Sequence, residues 1–509
     1  MIKSLNKLVF FPPLLILVGT VFYSIYAPEA FLSVVQTANA WVLDNFGGLF
    51  SWATFAFLLI LLVVYFSPIA RIRIGGKDRQ PLLSKWRWFA ITLCTTIATG
   101  ILFWGPAEPL YHLNASPEGL GLEPASASAA QFSMSTMFMH WTLTPYGIYT
   151  IAGLLFALTY YNLKQPFSLS ALFYPLFGAS AHGRMGQVVD MICLYGLVAG
   201  MAASLGTGML TLMGGMNTVL GVAESNWVLG GIGLLIVLTF ILSAASGLMK
   251  GIRILSDINI RAFIGLALFI MLLGPTVEMF QMGWLGFKDF IVHFVPRSLS
   301  LDPGIDKAWE NSWTIFYWAN WLAWAPITAL FLGRLSLGYT VREYIQFNLV
   351  FPSLFGGLWM VIFGGTSMSM DEATGGQLYD ILLNAGEQNV IFTILADLPL
   401  GSIMSVVFLF IVFVSYVTAA DSNTSAMSGI CTVGITPENP EAPLSIKVIW
   451  GVLIGLVAWV MVTQAGVDGI RIISVLGGFP ALFLLIIVAL GLLRLIFQKD
   501  TLVEGPKST

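Results

Sequence analysis

Residues 313–324 read Trp-Thr-Ile-Phe-Tyr-Trp-Ala-Asn-Trp-Leu-Ala-Trp. Trp318, Trp321 and Trp324 recur every third residue, so on a helix they lie near one face. A second aromatic group, Trp141, Tyr146 and Tyr149, brackets Pro145 and Gly147, two residues that loosen a helix. Aromatic faces carry a negative quadrupole. A box of them attracts a cation whose charge is spread over methyl groups, at about 0.5–2 kcal/mol per ring. Such rings suit neither a metal ion nor a phosphate. The bland alternative is that the tryptophans pack helices or face lipid. Interfacial belts also collect tryptophan, but a belt occupies about one turn and this run covers three.

A third group is the small, polar stretch Thr95-Thr96-Ile97-Ala98-Thr99-Gly100, followed by Phe103-Trp104-Gly105-Pro106-Ala107-Glu108-Pro109. Small residues allow close helix approach, and unwound backbone there can meet ions or a carboxylate. Enzyme chemistry is not indicated. His112, His140, His182 and His293 are dispersed and show no metal-ligand spacing, so no metal is expected. His140 beside Trp141 could titrate, but helix packing is the simpler account of it. No nucleophile constellation and no phosphate loop appears, and no cofactor is implied. Cys94, Cys193 and Cys431 form no CxxC pair and read as small buried side chains.

The elements that would position these groups are membrane spans. The 509 residues are 57% hydrophobic and 10% charged, with 37 Phe, 16 Trp and 15 Tyr. Soluble domains carry about 25% charged residues. The composition excludes a disordered chain, a disulfide scaffold and a basic nucleic-acid binder. Twelve apolar stretches reach span length: 9–26, 49–67, 89–110, 132–160, 187–214, 227–248, 253–280, 313–333, 347–366, 400–420, 446–464 and 470–496. The expected class is an all-α integral membrane protein with twelve transmembrane helices.

Charge sets the orientation. With a cytoplasmic N-terminus, all of the 23 basic residues fall on the cytoplasmic side except Lys288, Arg297, Lys307, Arg261 and Arg471. Glu108, Glu118, Glu123, Glu224, Asp371, Glu372, Asp380 and Glu387 are assigned to external loops. Both termini are therefore expected in the cytoplasm, with the first apolar run a retained span. Residues 284–297 mix apolar rings with Lys288, Asp289, His293 and Arg297, as an interfacial amphipathic helix does. Residues 376–398 resemble it more weakly.

The sequence also repeats itself. Gly251-Ile252-Arg253-Ile254-Leu255-Ser256 returns as Gly469-Ile470-Arg471-Ile472-Ile473-Ser474, Ala202-Ala203-Ser204 as Ala419-Ala420-Asp421, and Phe103-Trp104 as Phe316-Tyr317. The nearly constant shift spans five helices. An odd number inverts the second copy, which is a transporter signature.

These residues resemble the betaine/choline/carnitine transporter (BCCT) family. The resemblance rests on Trp313 through Gly333-Arg334-Leu335-Ser336 to Tyr339-Thr340-Val341-Arg342-Glu343. It also rests on Phe103-Trp104-Gly105 with Glu108-Pro109, Ser204-Leu205-Gly206, Lys250-Gly251-Ile252-Arg253 with Leu255-Ser256, and Asp421-Ser422. It implies a LeuT-like fold with two inverted five-helix repeats. The organisation expected is 1–88 as two leading helices with a basic loop, 89–283 as the first repeat and 284–311 as an external amphipathic helix and linker. Residues 312–496 form the second repeat and 497–509 a short cytoplasmic tail. It further implies a homotrimer in the inner (plasma) membrane, surrounded by lipid, with no nucleic-acid partner. The substrate box it implies is Trp141, Tyr146, Tyr149 and Trp321, with Trp318 and Trp324 as pathway aromatics. Tyr146 and Asn320 stand where the family usually, or often, has Trp. Substrate carboxylate binding falls to Thr99 and its unwound neighbours, or to Asn320.

The family's sodium-coupled members use a Thr-Ser pair where this chain has Thr418-Ala419, and two threonines where it has Leu197 and Met201. Hard cations need those oxygens. In the sodium-independent antiporter branch, an arginine at the position of Arg253 stands in for the ion. A permanent guanidinium charge suits that role, and an ordinary basic flank is the alternative. The expected function is transport of a small quaternary-ammonium or sulfonium zwitterion by sodium-independent exchange or facilitated transport. The substrates implied are betaine, carnitine, choline or dimethylsulfoniopropionate. Sodium- or proton-coupled symport for osmolyte uptake stays open, as does an onium sensor without flux.

Overall fold

The computed structural model describes residues 5–96, 100–245, 249–433 and 442–504; within helices, the side chains of 94–96, 243–245, 249–257, 422 and 504 are outside that description. Thr99 and the side chain of Arg253 therefore lie outside the described residues. The described chain is helical and contains no strand. It opens with α1 (Lys7–Tyr26) and α2 (Pro28–Phe66), then α3 (Lys85–Thr96), α4 (Gly100–Asn114), α5 (Ala127–Trp141), α6 (Leu143–Ala157) and the short α7 (Tyr174–Phe177). There follow α8 (Arg184–Leu220), α9 (Asn226–Ala245), α10 (Met249–Leu273), α11 (Thr276–Ser298), α12 (Lys307–Glu310), α13 (Phe316–Leu335) and α14 (Val341–Ile345). The chain continues through α15 (Phe351–Ala373), α16 (Gln377–Ala385), α17 (Val390–Asp397), α18 (Gly401–Ile430), α19 (Leu444–Phe497) and α20 (Lys499–Glu504). Among the described residues, eight helices are long and apolar enough to cross a membrane, or nine when the bent pair α10–α11 counts as one span.

Helix breaks follow local chemistry. At Thr142 the backbone leaves the helical region (φ −121°, ψ −109°), which separates α5 from α6. Pro145 lacks the N–H that would reach back to Trp141, so it cannot mend this break. Helix α19 is interrupted at Gly466 (φ 55°, ψ −134°), a conformation side chains with a Cβ rarely adopt. Between α10 and α11 the chain turns by 103° at Gly274-Pro275. The amphipathic helix thus begins at Thr276 rather than 284, and the preceding helix ends at Leu273 rather than 280. Proline removes the continuing hydrogen bond and restricts the residue before it.

The core is apolar and continuous. Helix α8 packs most extensively on α19, and α13 lies between α6, α8 and α19. Gly478 of α19 sits against the carbonyl of Ala319, leaving no room for a side chain. The loop after α2 pairs with the loop after α13: Ile74 N donates to Tyr339 O at 2.9 Å and Gly338 N to Ile74 O at 2.9 Å. Lys85 Nζ lies 2.9 Å from Glu343 Oε1 at this edge. The hydrogen bond and charge of Glu343 hold the ammonium above its ordinary range.

Candidate functional site

The four rings singled out for the box converge around Trp321. Its ring lies 5.8 Å from Trp141 at 81°, 5.9 Å from Tyr146 at 56° and 5.1 Å from Tyr149 at 63°. All four are at most 3% exposed. The break at Thr142 makes this possible, because it lets Trp141 and the Tyr146–Tyr149 turn approach α13 from two directions. The Thr142 hydroxyl donates to Phe138 O at 2.5 Å. Helix α15 presses on the break through Gly356, where an added Cβ would lie 2.6 Å from Trp141 O.

The other expected site residues fan out from α13. Trp318 is fully buried and meets His140 at 6.0 Å. Trp324 lies on a narrow crevice between α8, α9, α18 and α19, lined also by Met201, Ser204, Tyr416, Ala419 and Asn423. Asn320 faces α19, with its Oδ1 3.2 Å from the Ser474 hydroxyl. The Thr418 hydroxyl donates within its own helix, to Val414 O at 2.9 Å and Ser415 O at 3.0 Å. Leu197 and Met201 are buried apolar side chains. The indole N–H groups of Trp318 and Trp321 are buried with no acceptor among the described residues.

Glu108 and Asp371 are corrections to the sequence reading. Both were assigned to external loops, yet they are 0% and 1% exposed. Asp371 Oδ2 accepts from Asn114 at 3.3 Å, and its Oδ1 accepts from the Tyr379 N–H at 2.9 Å. Glu108 sits inside α4 behind the box. Its Oε2 accepts from Trp141 Nε1 at 2.8 Å and from the Tyr317 hydroxyl at 2.5 Å. Its Oε1 lies 2.6 Å from His140 Nδ1 and 3.2 Å from His112 Nε2. His140 Nε2 lies 3.0 Å from the Thr314 hydroxyl. Hydroxyls of neighbouring helices fix α4: Ser133 donates to Pro109 O at 2.8 Å and Ser367 to Pro106 O at 2.6 Å.

Two of the histidines read as dispersed are thus gathered on one carboxylate. Glu108, His112 and His140 place their ligand-type atoms within 4.8 Å of one another. The available signal was local: Glu108 and His112 are four apart inside an apolar run, hence on one helix face. Arg471 is the other residue the sequence undervalued. Its guanidinium lies 4.5 Å from the Trp313 ring and 5.7 Å from the Trp104 ring, and Nη1 lies 3.2 Å from Asp468. Nearby, Tyr111 donates to Glu387 Oε1 at 2.6 Å, tying α4 to the turn before α17.

The arrangement combines a dry set of ring faces with a carboxylate behind one of them. Ring faces and a carboxylate are the groups that attract a cation, and no nucleophile poised for covalent chemistry stands among the described residues. The ectoine/hydroxyectoine transporter of Virgibacillus pantothenticus is 29% identical over 505 residues, covering 99% of both chains. The glycine betaine transporter OpuD of Bacillus subtilis (strain 168) is 30% identical over 494 residues, covering 96% of this chain and 94% of the relative. The betaine/ectoine transporter LcoP of Corynebacterium glutamicum is 30% identical over 503 residues, covering 96% and 78%. The family model described as BCCT, betaine/carnitine/choline family transporter, matches residues 8–501. With nearly its whole length matched, this chain belongs to the BCCT family and is a multi-pass membrane transporter, not an enzyme.

Proposed function

We propose that this chain is a secondary transporter of a small quaternary-ammonium or sulfonium zwitterion, moved by alternating access without sodium. The observation that carries the reading is the convergence of Trp141, Tyr146 and Tyr149 on Trp321. Several buried ring faces that part to admit a ligand favour a methylated cation over a hydrated one, which would lose its water shell there. The Trp321 N–H, buried without an acceptor among the described residues, is a donor that a substrate carboxylate would satisfy. Asn320 and the stretch containing Thr99 are further carboxylate donors in this reading. Trp318 and Trp324 line the route on either side.

Twelve spans in two inverted five-helix repeats, at the boundaries given above, are the architecture we assign. Support comes from the interruption of α19 at Gly466, which gives it two limbs, and from the 103° turn that separates α10 from α11. Both termini lie in the cytoplasm in this assignment, and the assembly is a homotrimer in the plasma membrane. Sodium independence rests on the apolar Leu197 and Met201, on Ala419 beside Thr418, and on Arg253 as the resident charge.

The test is tryptophan quenching by glycine betaine, choline, carnitine, dimethylsulfoniopropionate and ectoine, followed by uptake into proteoliposomes. Saturable binding of at least one compound, with counterflow in sodium-free buffer, is expected. A strict sodium requirement sinks the exchange reading, and binding without counterflow marks a sensor.

A further inference from the structure

We propose that Glu108 and His140 form a proton-binding site behind the substrate box, reached from an outer crevice through Thr314, and that its proton competes with the onium cation. This rests on the reading of the Trp321 box as an onium site.

The geometry of the cluster is that of shared protons. Two ligand atoms on one zinc ion, each at about 2.0–2.1 Å from the metal, stand further apart than the 2.6 Å between Glu108 Oε1 and His140 Nδ1. Glu108, His112 and His140 are all 0% exposed. An ionised Glu108 with two neutral histidines leaves one net negative charge in a dry interior, which is costly unless a positive charge balances it. That positive charge has two sources. A proton on the cluster cancels it in place. An onium head in the box cancels it from the other side of Trp141, whose indole N–H is bonded to Glu108 while its ring faces Trp321. The anion at the N–H edge also enriches the indole face, which strengthens its hold on a cation. The site therefore accommodates one of the two cations at a time.

The neighbouring charged and titratable groups leave this balance to the cluster itself. Glu108 feels the charges of His112 and His140, and His112 additionally feels Arg471. Arg471 has Asp468 at 3.2 Å. On α13, Tyr317 donates to Glu108. On α6, Tyr146 and Tyr149 meet Trp321 at 5.9 Å and 5.1 Å. On α11, Arg297 is paired with Asp289 at 2.5 Å and Asp302 at 3.2 Å. On α15, Asp371 is bonded to Asn114 and the Tyr379 N–H, and Glu387 before α17 is bonded by Tyr111.

A route for the proton is present. A narrow crevice beside the loop between α11 and α12 is lined by Glu310, Asp302, Arg297, Thr136 and Thr314. Thr314 also meets His140 Nε2 at 3.0 Å. The Thr314 hydroxyl passes its proton to Nε2 and takes one from a hydronium in the crevice, leaving water. The proton between His140 Nδ1 and Glu108 Oε1 is then shared across 2.6 Å, and the pair is neutral with one proton moved inward; release reverses each step.

The experiment measures binding of the compounds in the screen above by the full-length protein, between about pH 5.5 and 8.5, with proton release followed by a pH dye in weak buffer. Affinity is expected to fall by up to about tenfold per pH unit below the site's midpoint, with up to about one proton released per onium bound. Glu108→Gln and His140→Gln are expected to bind with a flat pH profile and no proton release. Thr314→Val keeps both titrating groups, and is expected to retain the equilibrium pH slope while slowing proton release after rapid mixing. Wild-type binding that ignores pH and releases no proton overturns the proton site alone. Retention of the wild-type pH slope in both Gln variants overturns it as well. Failure of every compound to bind at any pH overturns the onium box and the competition together.

Discussion

Trp141 is held at its two ends: its indole nitrogen donates to Glu108 at 2.8 Å, and its ring meets Trp321 at 5.8 Å. The box wall and the buried carboxylate are therefore one mechanical unit. A change at either end is felt at the other.

Trp321 is the ring the other three share, so its removal should cost most. Trp321→Ala is expected to weaken onium binding by about 10- to 100-fold, the sum of a lost cation–π face and lost contact. Truncating a buried Trp also costs about 3–5 kcal/mol of stability. Trp321→Phe, which keeps a ring, separates the two effects and should bind within about fivefold of wild type. Quenching titrations read both, and binding by Trp321→Ala within twofold of wild type contradicts the box.

Gly356 touches the box without any side chain. A Cβ there would lie 2.6 Å from Trp141 O and 3.5 Å from the Tyr146 ring. Backbone cannot give way as a flexible side chain does, so Gly356→Ala should lower stability by about 1–3 kcal/mol and displace Trp141. Thermal unfolding in detergent and the onium titration should both register it.

Gly466 holds a backbone conformation suited to glycine at the break in α19. Gly466→Ala is expected to cost about 1–3 kcal/mol through strain. Nothing lies within 4 Å of the added Cβ, so the cost is conformational and not steric. A lowered melting temperature with unchanged onium affinity is the expected pair of results.

The Tyr111–Glu387 bond joins α4 to the turn before α17 at 2.6 Å. Tyr111→Phe removes only the hydroxyl and should cost about 1–3 kcal/mol, as for hydrogen bonds to charged groups. Since it releases α4 near the Arg471 and Trp313 pair, counterflow rates should change more than equilibrium affinity. Equal changes in both would show that the bond does not gate movement.

Arg253 carries the sodium-independent reading. Arg253→Ala is expected to abolish sodium-free counterflow and to regain part of it with sodium added. Counterflow that is unchanged by the substitution would make Arg253 an ordinary helix flank.

Much was legible from residue order. The presence of apolar helices follows from apolar runs that must satisfy their own backbone hydrogen bonds in lipid, but their lengths do not: the run at 49–67 extends back to Pro28, and those at 446–464 and 470–496 join in α19. The family followed from motifs spread over most of the chain. Helix ends were less legible: the stop at Leu273 depended on how Gly274-Pro275 turns against neighbouring helices. The sequence by itself determined that Trp141, Tyr146, Tyr149 and Trp321 were available on helix faces. Only the tertiary structure decided that the Thr142 break lets three of them meet the fourth, because helix crossing depends on packing between distant segments. The same holds for Glu108. Near the end of an apolar run it reads as a loop acid, since a lone carboxylate is costly in a membrane. It is buried because His112, His140, Trp141 and Tyr317, from three different helices, bring four donors to its two oxygens.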